Sequence, residues 1–463
     1  VISLAIRGVL LLALMGLALL LHQAGARSIG DPLHVNLFVV VLGLAVLVYF
    51  DAVRLALRPS GSPRAKEGQA LLFVKRSKNF HPLWFILGLA LLMRVVLITN
   101  PLLLSSDIYR YVWDGRVQAA GINPYRYIPA DPALTALRDH AIYPNINRRS
   151  YARTIYPPAA QMVFALVGRI SQTVIAMKLA MLACEAIAVL CLLRLLSLAR
   201  LPAERVLIYA WNPLVLWSFA CDGHVDAIAV GLLAVALLCR AERRFGAAGA
   251  FLAGAVLAKF LPIVVAPAFL RGGAFWRPAL AGICVILVLY GLYISAGPHV
   301  LGFMPSYDRE EGIDDGRGFW LLAGLGHLVP LPRGASAIYI ACVAAGLGLL
   351  SLAILRRQTQ GTVADVTVLC RDTAVLAGCA MAGLSPHYTW YFAWLALPSV
   401  IAPIPAVIWL SAAPVALYID PDNSHFLWRA IVYAPAAALT LARLWRRPQP
   451  LPQALATPEG TRP

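Results

Sequence analysis

The chain has 463 residues, of which 60% are apolar and only 13% charged, with a mean hydropathy of +0.74. A soluble domain carries about 25% charged residues, so this composition excludes a water-soluble enzyme and describes one polytopic membrane bundle rather than several soluble domains. The net charge of +17 would suggest nucleic acid in a soluble chain. Here much of the excess lies in short loops, at Arg58, Arg64, Lys66, Lys75, Arg76 and Lys78 and at Arg443, Arg446 and Arg447, as the positive-inside rule requires, and no nucleic-acid partner is expected.

Residues 1–21 and 35–57 exceed the roughly 18 apolar residues that mark a bilayer span. The first lacks a small-residue cleavage site and reads as a retained span. A third span at 82–98 is followed by the longest polar stretch, 100–157, with seven arginines and many Tyr, Asp and Asn. Further spans are predicted at 174–198, 204–220, 225–239, 278–295, 337–355, 366–384, 390–401, 404–418 and 426–444. Three apolar runs, 158–170, 245–270 and 319–331, are too short or too broken for an untilted crossing. With the loop 58–78 on the cytoplasmic side, segments 100–157, 221–226, 297–318 and 385–391 gather on the opposite face. The fold class expected is an all-α transmembrane bundle of about 11–14 membrane helices, some short or re-entrant. Its parts are an N-terminal two-span segment with the basic loop (1–81), a catalytic module (82–300), a C-terminal transmembrane module (301–447) and a Pro-rich tail (448–463). Seven of the eight cysteines lie in or beside apolar stretches without CxxC spacing, so a disulfide framework is not expected.

The first polar loop opens Ser105-Ser106-Asp107-Ile108-Tyr109-Arg110-Tyr111-Val112-Trp113-Asp114-Gly115-Arg116. On a helix, Asp107, Tyr111 and Asp114 share a face and Arg110 stands three residues from Asp107. A partly buried carboxylate at such a boundary suits a general base for a sugar hydroxyl; the alternative is that Asp107 caps the helix and pairs with Arg110. Arg148, Arg149 and Arg153 before Tyr156-Pro157-Pro158 form a cationic loop suited to phosphates or to lipid head groups. Cys221-Asp222-Gly223-His224-Val225-Asp226 places a histidine and two aspartates at a turn, without a spacing diagnostic of a metal. Lys259 has no charged sequence neighbour, and an ionisable group at membrane depth is a functional candidate, with phosphate, a carboxylate or snorkelling as its alternatives. His387, amid Ser385-Pro386-His387-Tyr388-Thr389-Trp390-Tyr391, is a titratable donor in an aromatic belt. The acidic group Asp308, Glu310, Glu311, Asp314 and Asp315 reads as solvated, and Glu185 as a buried partner of Lys178.

The order Asp107-x-Tyr-x-Tyr111-x-x-Asp114, Gly121-x-Asn-Pro124-Tyr125, Tyr156-Pro157-Pro158, Asn212-Pro213-Leu214, Gly223-His224-Val225-Asp226, Lys259-Phe260-Leu261-Pro262 and 386–394 resembles GT-C superfamily glycosyltransferases. The likeness is to bacterial polyprenol-phosphate-mannose-dependent mannosyltransferases, of the glycosyltransferase 87 kind, and to GPI mannosyltransferase I. It implies a membrane enzyme that transfers a sugar, mannose by family weight, from a polyprenyl phosphate to a glycan or glycolipid acceptor on the non-cytoplasmic face. It implies Asp107 as general base, with Asp114 as the second carboxylate because Tyr109 stands where the GPI enzyme has an aspartate. Arg110, Arg116, Arg153, Lys259 and His387 would hold the donor phosphate, and Tyr111, Tyr156, His224, Asp226, Tyr388 and Tyr391 the substrates. No resident metal ligand is assigned, and a divalent cation (magnesium or manganese) stays open as a cofactor. Membrane lipids are the remaining partners. A transporter or a flippase for lipid-linked saccharides is the alternative function.

Overall fold

The computed structural model describes residues 2–27, 32–58, 82–102, 104–272, 275–302, 312–313, 316–357, 363–420 and 425–445. Arg64, Lys66, Lys75, Arg76, Lys78, the acidic group at 308–315, Arg446, Arg447 and the tail 448–463 lie outside them. Among the described residues every regular element is helical. The long helices are α1 (Ile2–Arg27), α2 (Pro32–Ala56), α3 (Pro82–Ile98), α4 (Asp107–Ala119), α5 (Pro158–Ile170), α6 (Val174–Leu198), α7 (Asp226–Ala241), α8 (Phe245–Val256), α9 (Trp276–Gly291), α10 (Ala335–Leu355), α11 (Val363–Leu384) and α12 (Phe426–Trp445).

Five of them, α1, α2, α6, α10 and α11, are long and apolar enough to cross a bilayer, and two bent helix pairs raise this to seven. Five shorter apolar helices accompany them, so the chain is a multi-pass membrane bundle; among the described residues five to seven helices reach the length of a span, against the 11–14 membrane helices expected. α6 matches its predicted span because Thr173 caps it, accepting from the Ala176 N–H, and its 25 residues run apolar to Leu198. The predicted span 204–220 is instead segmented. Asn212 accepts from the N–H groups of Leu214 and Val215 at 2.9 and 3.3 Å and starts a new turn at Pro213, while its own amide donates to Ser411 and Tyr49. The runs 390–401 and 404–418 are likewise broken into short helical turns.

α1 lies along α2, α7 between α6 and α8, α8 along α9, and α4 along α5. One contiguous apolar core joins these pairs. α10 is the exception, with few of its residues buried. Inside the core Arg94 of α3 donates to both carboxylate oxygens of Glu185 of α6 at 3.1 and 2.7 Å and to the carbonyls of Ala90 and Ala210. Glu185 is therefore the partner of Arg94 and not of Lys178, whose ammonium donates to the carbonyls of Ile98 and Asn100. The helix α4 ends in a Schellman motif: Gly121 takes φ +78°, its N–H reaches Gln118 and that of Ile122 reaches Val117. Its closest neighbour is α5, where Gly115 faces Gly168; a Cβ on Gly168 would lie 2.5 Å from the Gly115 carbonyl.

Candidate functional site

Asp107 is the first residue of α4, and Ser106 before it makes no side-chain cap. Its backbone N–H donates to Ser105 Oγ. The carboxylate is partly open, with the side chain 20% exposed. Asn147, returned by the long loop from 40 residues away, donates to its Oδ1 at 2.7 Å. On the other side Oδ2 stands 3.9 Å from His224 Nδ1. Asp107 is thus neither a helix cap nor the partner of Arg110. Arg110 donates instead to Asp114 Oδ1 at 2.8 Å, one turn on, and to the carbonyl of Ala152. Asp114 is 1% exposed, and its second oxygen accepts from Gln161 at 2.8 Å. The two carboxylates expected to act together therefore lie in different surroundings, one at an opening and one sealed in an ion pair.

The second part of the site is a helix break. A wide helical turn, Trp217–Cys221, ends in Asp222, the His224 N–H turns back to the Ser218 carbonyl, and α7 leaves at 119°. Gly223 permits this with φ +68°, where a Cβ would meet Ile108 and Lys178. Irregular backbone at membrane depth is tolerated only where protein covers it, and residues 222–226 are all buried. The His224 ring stacks on Trp390 at 4.0 Å, and Trp390 on Tyr388. Its Nε2 stands 4.0 Å from Asp222 Oδ2. Neither ring nitrogen and no group at Asp222 Oδ1 has a hydrogen-bond partner.

Asp226 opens α7, is 3% exposed, and accepts from Lys259 Nζ at 3.3 Å. Lys259 follows the end of α8, and its ammonium sits 3.8 Å from the centre of the Tyr391 ring. Of its three predicted alternatives the carboxylate-paired one is realised, with the remaining donors toward the aromatic belt. Tyr111 is fully buried, stacked on Phe164 and edge-on to Tyr156, and its hydroxyl accepts from the Val225 N–H. The structure thus brings together Asp107, Tyr111, Tyr156, His224, Asp226, Lys259, Tyr388 and Tyr391. His387, half-buried, lies against Tyr388.

Arg116 and Arg153 are elsewhere. Arg116 faces a surface cleft of about 420 Å³ and donates to Asp139, Gln172 and the Leu137 carbonyl. Arg153 is at the surface against the Arg126 carbonyl. Of the other residues in the motif order, Asn212 is a cap, and Asn123 and Tyr125 fasten the loop to Tyr293, Ser295 and the Tyr156 carbonyl. Asn147, Trp390 and Asp222 are the site residues that the motif reading did not assign. Asp222, beside His224, and Trp390, in the aromatic belt, had a sequence signal; Asn147 meets Asp107 only in three dimensions.

Among the described residues, donor atoms of His22, Cys221 and Asp222 lie within 4.8 Å of one another. The Lys178 ammonium, which donates to the carbonyls of Ile98 and Asn100, interacts electrostatically with Cys221 and Asp222. Among the described residues His224 with Asp222 and Asp226 forms no such group, and Asp226 pairs with Lys259.

Fold and site together define an all-helical, multi-pass membrane protein with an accessible carboxylate over a buried polar cluster. Residues 33–272, just over half of the chain, match the family described as alpha-(1->6)-mannopyranosyltransferase, N-terminal domain. The chain belongs to that family of mannosyltransferases and is a glycosyltransferase. No curated protein and no solved structure matches it.

Proposed function

We propose that this chain transfers mannose from a polyprenyl-phosphate donor to a hydroxyl of a glycan or glycolipid on the non-cytoplasmic face of the membrane, in the building of a cell-envelope glycan. The observation that carries this reading is the partly open carboxylate of Asp107, held by Asn147 and facing the cluster that contains Lys259. In the single displacement, Asp107 takes the proton of the acceptor hydroxyl, the acceptor oxygen bonds to the anomeric carbon, and the bond from that carbon to the phosphate oxygen breaks. The lipid phosphate leaves with its electron pair. A lipid phosphate is already a charged leaving group, so the protein's main electrostatic task is to oppose the charge that develops on it. Lys259, over the Tyr391 ring in the aromatic belt of Tyr388, Trp390 and Tyr391, is the cation we assign to this task, and His387 lies against Tyr388 of the same belt. The lipid tail lies between helices, in keeping with the apolar surface of the bundle.

The test is transfer of radiolabelled mannose from polyprenyl-phosphate-mannose to a glycolipid extract, by purified protein in lipid, beside Asp107→Asn. Loss of a general base costs roughly 10²–10⁴-fold in rate. A well-folded Asp107→Asn variant that turns over like the parent refutes the assignment.

A further inference from the structure

His224 is a residue whose surroundings ask for an explanation. It is buried to 1% exposure, both ring nitrogens lack partners, and it lies between two carboxylates, 3.9 Å from Asp107 and 4.0 Å from Asp222. Stacking on Trp390 fixes the ring plane, so both nitrogens stay aimed at those oxygens. Catalytic hydrogen bonds are commonly long in a free enzyme and tighten when substrate binds.

The groups facing this pair come from several elements. They are Asp107 and Tyr111 from α4, Lys178 from α6, Cys221 before the break, Asp226 from α7, Lys259 after α8, Tyr418 (whose hydroxyl donates to Asp222 Oδ2 at 3.5 Å) and His22 from α1. Counted as charges these are three carboxylates, at Asp107, Asp222 and Asp226, against two ammonium groups, at Lys178 and Lys259. One more proton makes the cluster neutral, as a site of low dielectric demands. Asp107 is the carboxylate open to solvent and held by Asn147, so the proton belongs deeper, between His224 and Asp222. Whether it rests on the imidazole or on the Asp222 carboxyl is a coupled matter, and in both arrangements Nδ1 carries a hydrogen.

We propose that Asp222 and His224 share one proton that keeps an N–H on Nδ1 directed at Asp107, making His224 the positioning residue of the carboxylate base. This rests on the role of Asp107 proposed above. Asp107 is then gripped at both oxygens, by Asn147 at Oδ1 and by His224 at Oδ2, and its remaining lone pairs face the acceptor hydroxyl.

The arrangement distinguishes two substitutions at Asp222. Asp222→Asn keeps a donor toward Nε2 and therefore the same tautomer; Asp222→Ala removes it and frees the ring to place its hydrogen on Nε2. Asp222→Asn is expected to retain turnover within a few-fold of the parent. Asp222→Ala and His224→Gln are expected to lose on the order of 10–100-fold in kcat, with acceptor and donor KM within about twofold, because both side chains are sealed behind Asp107, at 2% and 1% exposure. Asp107→Asn serves as the control for the base itself. The tautomer is read separately by 15N NMR of ring-labelled protein, with His224→Gln identifying the signal. A protonated Nδ1 at neutral pH in the parent and in Asp222→Asn, lost in Asp222→Ala, supports the proposal. An unprotonated Nδ1 in the parent overturns it whatever the activity. Equal damage from Asp222→Asn and Asp222→Ala, in folded protein, also overturns it. Full activity of Asp107→Asn removes the underlying assignment of the base, while an inactive Asp107→Asn beside a fully active His224→Gln removes this inference alone.

Discussion

Replacing Arg94 by Met tests the internal frame on which the site is mounted. Arg94 makes four hydrogen bonds, two to Glu185 and one each to the carbonyls of Ala90 and Ala210. Both side chains are nearly sealed, at 10% and 2% exposure. Methionine fills much of the same volume but leaves Glu185 charged, buried and unpaired between α3 and α6, where no water reaches it. Breaking a buried pair from one side costs about 3–5 kcal/mol. At roughly 2–4 °C per kcal/mol, Arg94→Met should lower the melting temperature by on the order of 6–20 °C. The assay is thermal unfolding of detergent-solubilised protein followed by size-exclusion fluorescence. The double variant Arg94→Met/Glu185→Leu, which removes both charges, should recover most of the loss. A single variant that melts within a degree or two of the parent, or a double variant no better than the single, refutes the reasoning that the pair, rather than packing alone, joins the two helices.

Other substitutions probe the site and its supports. Lys259→Met should raise the donor KM about 10–100-fold, the equivalent of one charge-assisted hydrogen bond of roughly 1.5–3 kcal/mol, and Lys259→Arg should recover part of it. An unchanged donor KM would mean that Lys259 serves Asp226 only. Gly168→Ala sets a methyl group against the Gly115 backbone and should cost about 1–3 kcal/mol, seen as a lower melting temperature together with lower turnover. Parental values for both would show that α4 and α5 slide freely. In the long loop, burial pushes the Asp139 carboxyl up, but hydrogen bonds from Arg116 and the N–H groups of Ile142 and Tyr143 outweigh it and hold it at about 2, below its ordinary 3.8. The folded loop thus binds this proton more weakly than the unfolded one. Its stabilisation is complete above the ordinary value and lost as pH falls through about 2. Hydrogen exchange across 137–145 should lose protection in that window, and in Asp139→Asn protection should be low at neutral pH already; an Asp139→Asn profile like the parent's would refute this.

What could be read in the sequence was what local pattern controls. The long helix α6 follows from an apolar run with a threonine before it, and the short α5 and broken α8 from runs that end at polar or Pro-bearing turns. The run 204–220 misled because hydropathy does not register that Asn212 can restart a helix inside an apolar stretch. Partner choice was least legible. Arg110 has carboxylates at both helical spacings and chooses Asp114 over Asp107 because the start of α4 turns Asp107 toward the opening. Glu185 and Lys178 share a helix face, yet Arg94 on another helix reaches the carboxylate with two parallel donors. The hydrogen bond from Asn147 to Asp107 and the approach of His224 to the same carboxylate bring together three segments far apart in the chain, and no periodicity carries that information.

The contact between Gly115 and Gly168 also sets a mechanical scale. Gly115 lies eight residues along α4 from Asp107, about 12 Å at 1.5 Å per residue. The helix is therefore a lever arm pivoted where two backbones touch, with the carboxylate at its free end. A tilt of about 5° at that pivot moves Asp107 by about 1 Å, a displacement of the size that costs a reaction on the order of 10²-fold. Under the role proposed for Asp107, its aim at the acceptor hydroxyl would be governed by two residues that have no side chain.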